Sequence, residues 1–80
     1  MDDRELLHTI EKLVNEEHKL LQEAEEGQLD DAEHARMHEI EVRLDQCWDL
    51  LRQRRARKEF GLNPDEAKVR DPGTVEHYQQ

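Results

Sequence analysis

Eighty residues, 41% charged and 34% hydrophobic, form at most one small domain with a core near the minimum that supports folding. The net charge of −9 argues against nonspecific nucleic-acid binding by the whole surface. A single cysteine excludes an internal disulfide, and no apolar run approaches the ~20 residues that span a bilayer. With an acidic start unlike a signal peptide, these features predict a cytoplasmic protein without membrane association.

The first predicted helix begins at Asp2 and runs to about residue 26. Asp2 and Glu5 are spaced as a capping box, in which each side chain accepts a backbone N–H of the other residue. Gly27 is the predicted stop, because glycine readily adopts the left-handed conformation that ends helices. Glu17 is the only charge within the apolar stripe, and we interpret it as a register device or a snorkelling side chain rather than a catalytic acid. The stripe consists of Leu6, Leu7, Ile10, Leu13, Val14, Leu20, Leu21 and Ala24.

The second predicted helix runs from about Asp31 to about Glu59 and ends before Gly61. Asp30 opens a second capping box, so only about three residues connect the helices, and short connections join antiparallel neighbours. The predicted seam residues of this helix are Met37, Ile40, Leu44, Cys47 and Leu51. We therefore predict an all-α, coiled-coil-like antiparallel hairpin over residues 1–60.

One constant register aligns the two stripes. With Leu6 opposite Leu51, four apolar pairs place heptad position a against position d, as antiparallel coiled coils require. The pairs are Leu6–Leu51, Ile10–Cys47, Leu13–Leu44 and Leu20–Met37. The same register predicts flanking ionic contacts of Glu16 with Arg43, of Glu23 with Arg36, and of Asp2 and Asp3 with Arg54 and Arg55.

Residues 61–80 form the predicted C-terminal tail. Asn63 and Pro64 open a short capped helical turn that continues to Ala67. Residues 71–74 have the composition of a turn. We expect the rest of the tail to be irregular.

The predicted hairpin leaves an apolar strip on one flank of its seam. The strip consists of Leu7, Val14, Leu21 and Trp48. Burying each side chain would stabilise the protein by ~1.5–3 kcal/mol, so we expect the strip to be covered. Either the tail folds over it or a second copy packs on it, and both can occur together. We favour a homodimer that forms a four-helix bundle.

Five histidines raise the question of a metal site. His34 and His38 are four residues apart, but the two carboxylate–histidine pairs with metal-site spacing lie at opposite ends of the predicted hairpin. We therefore interpret the histidines as solvated, and Cys47 as an apolar seam residue. The sequence contains no Ser-His-Asp set, glycine-rich phosphate loop or paired-cysteine zinc spacing. We expect no enzyme, no metal and no cofactor.

The main candidate for function is a basic cluster at the end of the second helix. Residues 52–58 contain five bases and no acid. The bases are Arg52, Arg54, Arg55, Arg57 and Lys58. They can cap the negative end of the helix beside the acidic start of the chain, bind an acidic protein surface, or contact phosphate. Trp48 is correspondingly an apolar anchor or a base-stacking platform.

The run Leu-Asp-Gln-Cys-Trp-Asp-Leu-Leu-Arg-Gln-Arg-Arg-Ala, from Leu44 to Ala56, resembles the signature of a family of short uncharacterised actinobacterial proteins, a domain of unknown function. Similar features extend the resemblance over nearly the whole chain: the Met1-Asp2-Asp3 start, the Gly27 hinge, the Asn63-Pro64-Asp65-Glu66-Ala67 turn and the Val69-Arg70 pair. The resemblance implies a bacterial cytoplasmic protein and supplies no activity.

The resemblance also concerns the outer face of the second helix. Its motif includes Asp45, Gln46, Asp49, Arg52 and Gln53, whose identities helix packing alone does not require. We predict a non-enzymatic protein-interaction or adaptor module, and the alternative is a nucleic-acid-binding accessory protein. The predicted partner-binding residues are Asp45, Asp49, Arg52, Arg54, Arg55, Arg57 and Lys58.

Overall fold

A computed structural model of the chain, which describes residues 2–78, contains three α-helices and one 3-10 turn. The helices are α1, Asp3–Glu25; α2, Asp31–Glu59; and α3, Pro72–Tyr78; the 3-10 turn is Pro64–Glu66. Helices α1 and α2 pack against each other, and the described part of the tail, residues 61–78, packs along α2. The predicted all-α hairpin is confirmed. The predicted segments also include Met1 and residues 79–80, which lie outside the described residues.

Both long helices begin and end where the sequence predicts. The Asp2 carboxylate accepts the backbone N–H of Glu5 at 2.8 Å, and Asp30 caps α2 in the same way. Each helix is followed by a glycine in the left-handed region, with φ of 71° at Gly27 and 73° at Gly61. A side chain with a Cβ would be strained there, so glycine ends both helices sharply.

The seam between α1 and α2 is the core of the hairpin. Its buried side chains are Leu6, Ile10, Leu13, Leu20, Ile40, Leu44, Leu50 and Leu51. The predicted seam residues Met37 and Cys47 are half-buried against this cluster. Leu50 is buried although it lies outside the predicted seam. It faces a cleft that tail residue Val69 also lines, so the tail contributes to its burial.

The first part of the tail follows the prediction. The Asn63 side chain accepts the backbone N–H of Asp65 at 3.0 Å, and Pro64 occupies the first position of the 3-10 turn. Proline suits this position because its fixed φ matches the turn and its missing N–H would have had no partner there.

The second part of the tail is a helix rather than a turn. Asp71 accepts the backbone N–H of Thr74 at 3.0 Å and thereby caps α3. An Asp-Pro pair suits a turn and a helix start equally well, and seven residues are too few to show a helical period. Val75 of α3 is buried, and α3 packs against α2.

Candidate interaction surface

A buried carboxylate fastens the tail to α2. Asp49 is 1% exposed and accepts hydrogen bonds from two guanidinium nitrogens of Arg70, one of them at 2.8 Å. Gln53 donates to Asp49 at 2.9 Å and to the backbone carbonyl of Lys68 at 2.9 Å. The Arg70 hydrogen bonds outweigh the effect of burial and hold the pKa of Asp49 below its usual range. Asp49 is therefore a charged anchor for the tail at neutral pH.

The outer motif residues largely serve this attachment. The Gln46 side chain donates to the backbone carbonyl of Arg70 at 3.1 Å, which adds to the contacts of Asp49 and Gln53. Helix packing does not require these three identities, but attachment of the tail does. The structure corrects the prediction for Asp49, which is unavailable to a partner because the tail occupies its side of α2. We call this flank, defined by Gln46, Asp49, Leu50 and Gln53, the tail side.

Arg54 links the start of α1 to the 3-10 turn. Its side chain is 5% exposed and donates to Asp3 at 2.5 Å and to Asp65 at 3.0 Å. Lys58 donates to the other carboxylate oxygen of Asp3 at 2.5 Å. Hydrogen bonds from Arg54 and Lys58 lower the pKa of Asp3 from 3.8 to about 2. The predicted proximity of Asp3 and Arg54 is confirmed, but Arg54 is buried and cannot serve as an exposed partner contact.

The basic cluster divides into paired and unpaired members. Arg57 donates to the backbone carbonyl of Asn63 at 2.7 Å and to Glu66 at 2.6 Å. Together with Arg54 and Lys58, three of the five bases are thus engaged within the fold. Arg52 and Arg55 are exposed, and they form no ion pair among the residues that the structure describes.

The flanking ion pairs across the seam differ from the prediction. Arg36 reaches Glu16 through two hydrogen bonds of 2.5 and 2.9 Å, rather than Glu23. A second carboxylate, that of Glu39, lies 3.1 Å from Arg36, so the guanidinium turns toward the site with two acids. Arg43 pairs with Glu39 of its own helix at 3.5 Å instead of with Glu16.

The flank opposite the tail side carries the predicted apolar strip. Leu7, Leu21 and Trp48 are 42%, 41% and 41% exposed, and Val14 is half-buried. The described part of the tail lies along the other flank and leaves the strip open. The sequence left two alternatives for covering the strip, the tail and a second copy. Within residues 2–78 the tail does not cover it, and the homodimer stays a prediction.

A cleft of about 320 Å³ lies between the hairpin and the tail. Its lining is mainly apolar but includes Thr9, Arg43 and Gln46, and Cys47 contributes a thiol to it. Burial raises the pKa of this thiol, which keeps it protonated and a poor nucleophile. Within the described residues, no group of three His, Cys, Asp or Glu side chains could hold a metal ion. No helix in the same part of the chain is long and apolar enough to cross a membrane.

Sequence reasoning missed the partner of Asp49. Arg70 is distant in sequence and lies in a segment without periodicity, so no local pattern connects the two residues. One signal could have indicated this contact between α2 and the tail. Asp49, Gln53 and the Val69-Arg70 pair all belong to the features that carry the family resemblance.

These contacts define a class of small all-α protein, a two-helix hairpin with its own tail on one flank and an open apolar strip on the other. Residues 2–80 match the family described as "Protein of unknown function (DUF2630)", and the chain belongs to that family. It is 46% identical over 77 residues to "Uncharacterized protein Rv0898c" of Mycobacterium tuberculosis and to "Uncharacterized protein Mb0922c" of Mycobacterium bovis. Each alignment covers 95% of this chain and 88% of the relative. No solved structure matches the chain.

The comparisons confirm the resemblance to a family of actinobacterial proteins of unknown function. The relatives' names state no activity, so any function has to be inferred from the surface itself.

Proposed function

We propose that this chain is a cytoplasmic, non-enzymatic interaction module that binds a helical protein surface through the apolar strip. The observation that carries the proposal is the exposure of Leu7, Leu21 and Trp48 on one flank of a hairpin. Single exposed leucines are common, but a row at heptad spacing beside a tryptophan is typical of sites that dock an amphipathic helix. The free thiol of Cys47 suits a reducing compartment.

The unpaired arginines near the end of α2 favour a partner that has carboxylates at that end of the strip. Of the seven predicted partner-binding residues, Asp45, Arg52 and Arg55 retain accessible side chains without an ion pair in the described part of the chain. Arg52 and Arg55 lie one and two turns from Trp48 toward the end of α2. Two unpaired guanidinium groups next to an apolar contact would select a partner with carboxylates at that end.

The nucleic-acid alternative has less support, because Arg54, Arg57 and Lys58 are engaged by acids of the same chain. Two unpaired arginines on a body of net charge −9 offer few phosphate contacts. We expect no measurable affinity for DNA or RNA at about 50 mM salt. Binding that weakens steeply as salt is added would favour the alternative.

Affinity capture from a lysate of the protein's own cells, quantified by mass spectrometry, tests the interaction module. Trp48→Glu places a charge in the strip and should abolish capture of specific partners. Leu62→Glu is the matched control, because Leu62 is an exposed leucine of the tail outside the strip. Equal capture by wild type and Trp48→Glu would contradict the proposal.

A further inference from the structure

Two rows of ionisable side chains border the apolar strip, one on each helix. The row on α1 is Arg4, Glu11, His18 and Glu25, and the row on α2 is Asp31, His38, Asp45 and Arg52. Seven-residue spacing keeps each row on one side of its helix, in the heptad position that follows the strip around the helix surface. Asp45 is half-buried and the other seven are exposed. Among the described residues none of the eight forms an ion pair.

Contacts between α1 and α2 show which residues of the two helices lie at the same position along the hairpin axis, which we call their height. Arg54 bonds to Asp3 near the open end, and the Glu23 carboxylate near the loop lies close enough to Glu33 to raise its pKa. We count residues along the helices from these contacts and find four pairs of row residues at equal height. The pairs are Arg4 with Arg52, Glu11 with Asp45, His18 with His38, and Glu25 with Asp31. From the open end to the loop, both rows therefore run arginine, acid, histidine, acid.

Two copies can bury this face against each other in two symmetric ways. If both hairpins point in the same direction, α1 of one copy lies over α2 of the other, and side chains of equal height meet. Arg4 then meets Arg52, and Glu25 meets Asp31, so like charges oppose each other at both ends. Like charges in contact are unfavourable and specify against this arrangement.

If the hairpins point in opposite directions, α1 lies over α1 of the second copy, and α2 lies over α2 of the second copy. Each row then faces the same row of the second copy in reverse order. Arg4 then lies beside Glu25 of the second copy, and Arg52 beside Asp31 of the second copy. The acids in the middle of each row lie beside histidines. Every contact between the rows thus joins an acid to a base or a histidine.

The same antiparallel arrangement also aligns the part of the apolar strip that lies on α1. Leu7 packs on Leu21 of the second copy, and Val14 packs on itself near the two-fold axis. Glu41, one heptad before Trp48, lies near that axis, where the Glu41 side chains of the two copies oppose each other with like charge. Glu41→Gln should accordingly strengthen the association.

The area of the face suits a stable pair. Helix α1 has 23 residues. At ~1.5 Å per residue and ~10 Å per helix diameter, two helices present roughly 700 Å² per copy. Specific interfaces bury about 800 Å² per partner, so the face is near the usual size.

We propose that the occupant of the apolar strip is a second copy of this chain, packed antiparallel to form a four-helix bundle. Arg4 lies beside Glu25 of the second copy, and Arg52 beside Asp31 of the second copy. This inference rests on the proposed use of the strip as an interaction surface and identifies its partner.

Sedimentation analysis of the full chain, from micromolar to millimolar concentration, tests the arrangement. Wild type should form a dimer. The Arg4→Glu/Arg52→Glu variant places like charges at both ends of the antiparallel pair and should raise the dimer dissociation constant by about tenfold or more. Adding Glu25→Arg and Asp31→Arg restores opposite charges and should restore the dimer. Circular dichroism of each variant checks that the hairpin is intact.

Each outcome distinguishes the claims. A wild type that stays monomeric throughout overturns the second copy as partner, whereas the capture experiment with Trp48→Glu separately decides whether the strip binds another protein. A wild-type dimer that tolerates Arg4→Glu/Arg52→Glu overturns the antiparallel arrangement, because the alternative already has like charges there. Failure of the compensating substitutions to restore a weakened dimer overturns it as well.

Discussion

The two flanks of the hairpin differ in whether the chain itself covers them. On the tail side, Asp49 and Gln53 are bound by Arg70 and by a carbonyl of the tail. On the opposite flank, Leu7 and Trp48 remain about two-fifths exposed. One flank is therefore covered by the chain itself, and on the other flank we propose that a partner covers the apolar strip.

The contrast extends to neighbouring residues of the basic cluster. Arg54 is buried with two carboxylates, whereas Arg55 is exposed. Successive helical residues are turned by about 100° around the axis, so one sequence cluster is distributed over several environments. The basic cluster thus consists of bases that are paired within the fold and bases that are exposed and unpaired. Only Arg52 and Arg55, in the second group, are candidates for binding.

The largest expected difference between the flanks is in stability. Leu50→Ala should lower the free energy of unfolding by about 2–5 kcal/mol, because it leaves a cavity under the tail. Leu21→Ala removes a side chain that is already exposed in the monomer and should cost about 1 kcal/mol or less at dilute concentration. Urea unfolding monitored by circular dichroism measures both. Equal losses would mean that the tail does not cover its flank.

Adjacent arginines provide the next comparison. Arg54→Gln removes charge-assisted hydrogen bonds to Asp3 and Asp65 and should destabilise the fold by about 1.5–3 kcal/mol. Arg55→Gln should change stability by no more than about 0.5 kcal/mol. The same unfolding assay separates them, and a larger loss for Arg55→Gln would reverse the assignment of buried and exposed arginines.

Acid should weaken the contacts of Asp49 with the tail and of Asp3 with Arg54 and Lys58. The pKa values of Asp3 and Asp49 are lowered in the folded state, Asp3 from 3.8 to about 2. Their stabilisation is therefore complete above the unfolded pKa and is lost as pH falls through the folded values. Asp49→Asn should lower stability at neutral pH and flatten the decline between about pH 5 and pH 2. Asp45→Asn is the matched control and should keep the wild-type decline. An unchanged decline in Asp49→Asn would contradict the buried contact with Arg70.

The smallest expected effect concerns the thiol in the cleft. Burial raises the pKa of Cys47, so its alkylation should be slower than that of an exposed cysteine. Arg70→Ala loosens the tail beside the cleft and should accelerate alkylation by about severalfold. Arg52→Ala, on the open side, should leave the rate unchanged. If both variants react at the wild-type rate, the tail does not control access to the cleft.

Much of the hairpin could be predicted because its signals are local. Asp2 and Asp30 mark the helix starts through their side-chain carboxylates, and Gly27 and Gly61 mark the helix ends through their left-handed backbone. The apolar period identifies the seam. The burial of Leu50 could not be predicted, since it depends on a tail that returns from a distant part of the sequence. The partner of Arg36 was also not predicted, because its long side chain can reach either of two carboxylates, Glu16 and Glu23, that lie about two helical turns apart on α1.

The candidate surface was predictable in part for the same reason. Heptad spacing places Leu7, Leu21 and Trp48 on one flank, and their exposure agrees with it. The division of the basic cluster was not predictable, because Arg54 and Arg57 bind residues of the 3-10 turn. Their availability depends on where the chain goes after Gly61, and no helical period describes that path.

Isotope-filtered NMR on a mixture of labelled and unlabelled chains tests the antiparallel pairing of two open flanks most directly. We expect intermolecular NOEs between Leu7 of one copy and Leu21 of the other. NOEs between Leu7 of one copy and Trp48 of the other would place the hairpins in the same direction and contradict the arrangement. A complete absence of intermolecular NOEs at millimolar concentration would contradict the dimer itself.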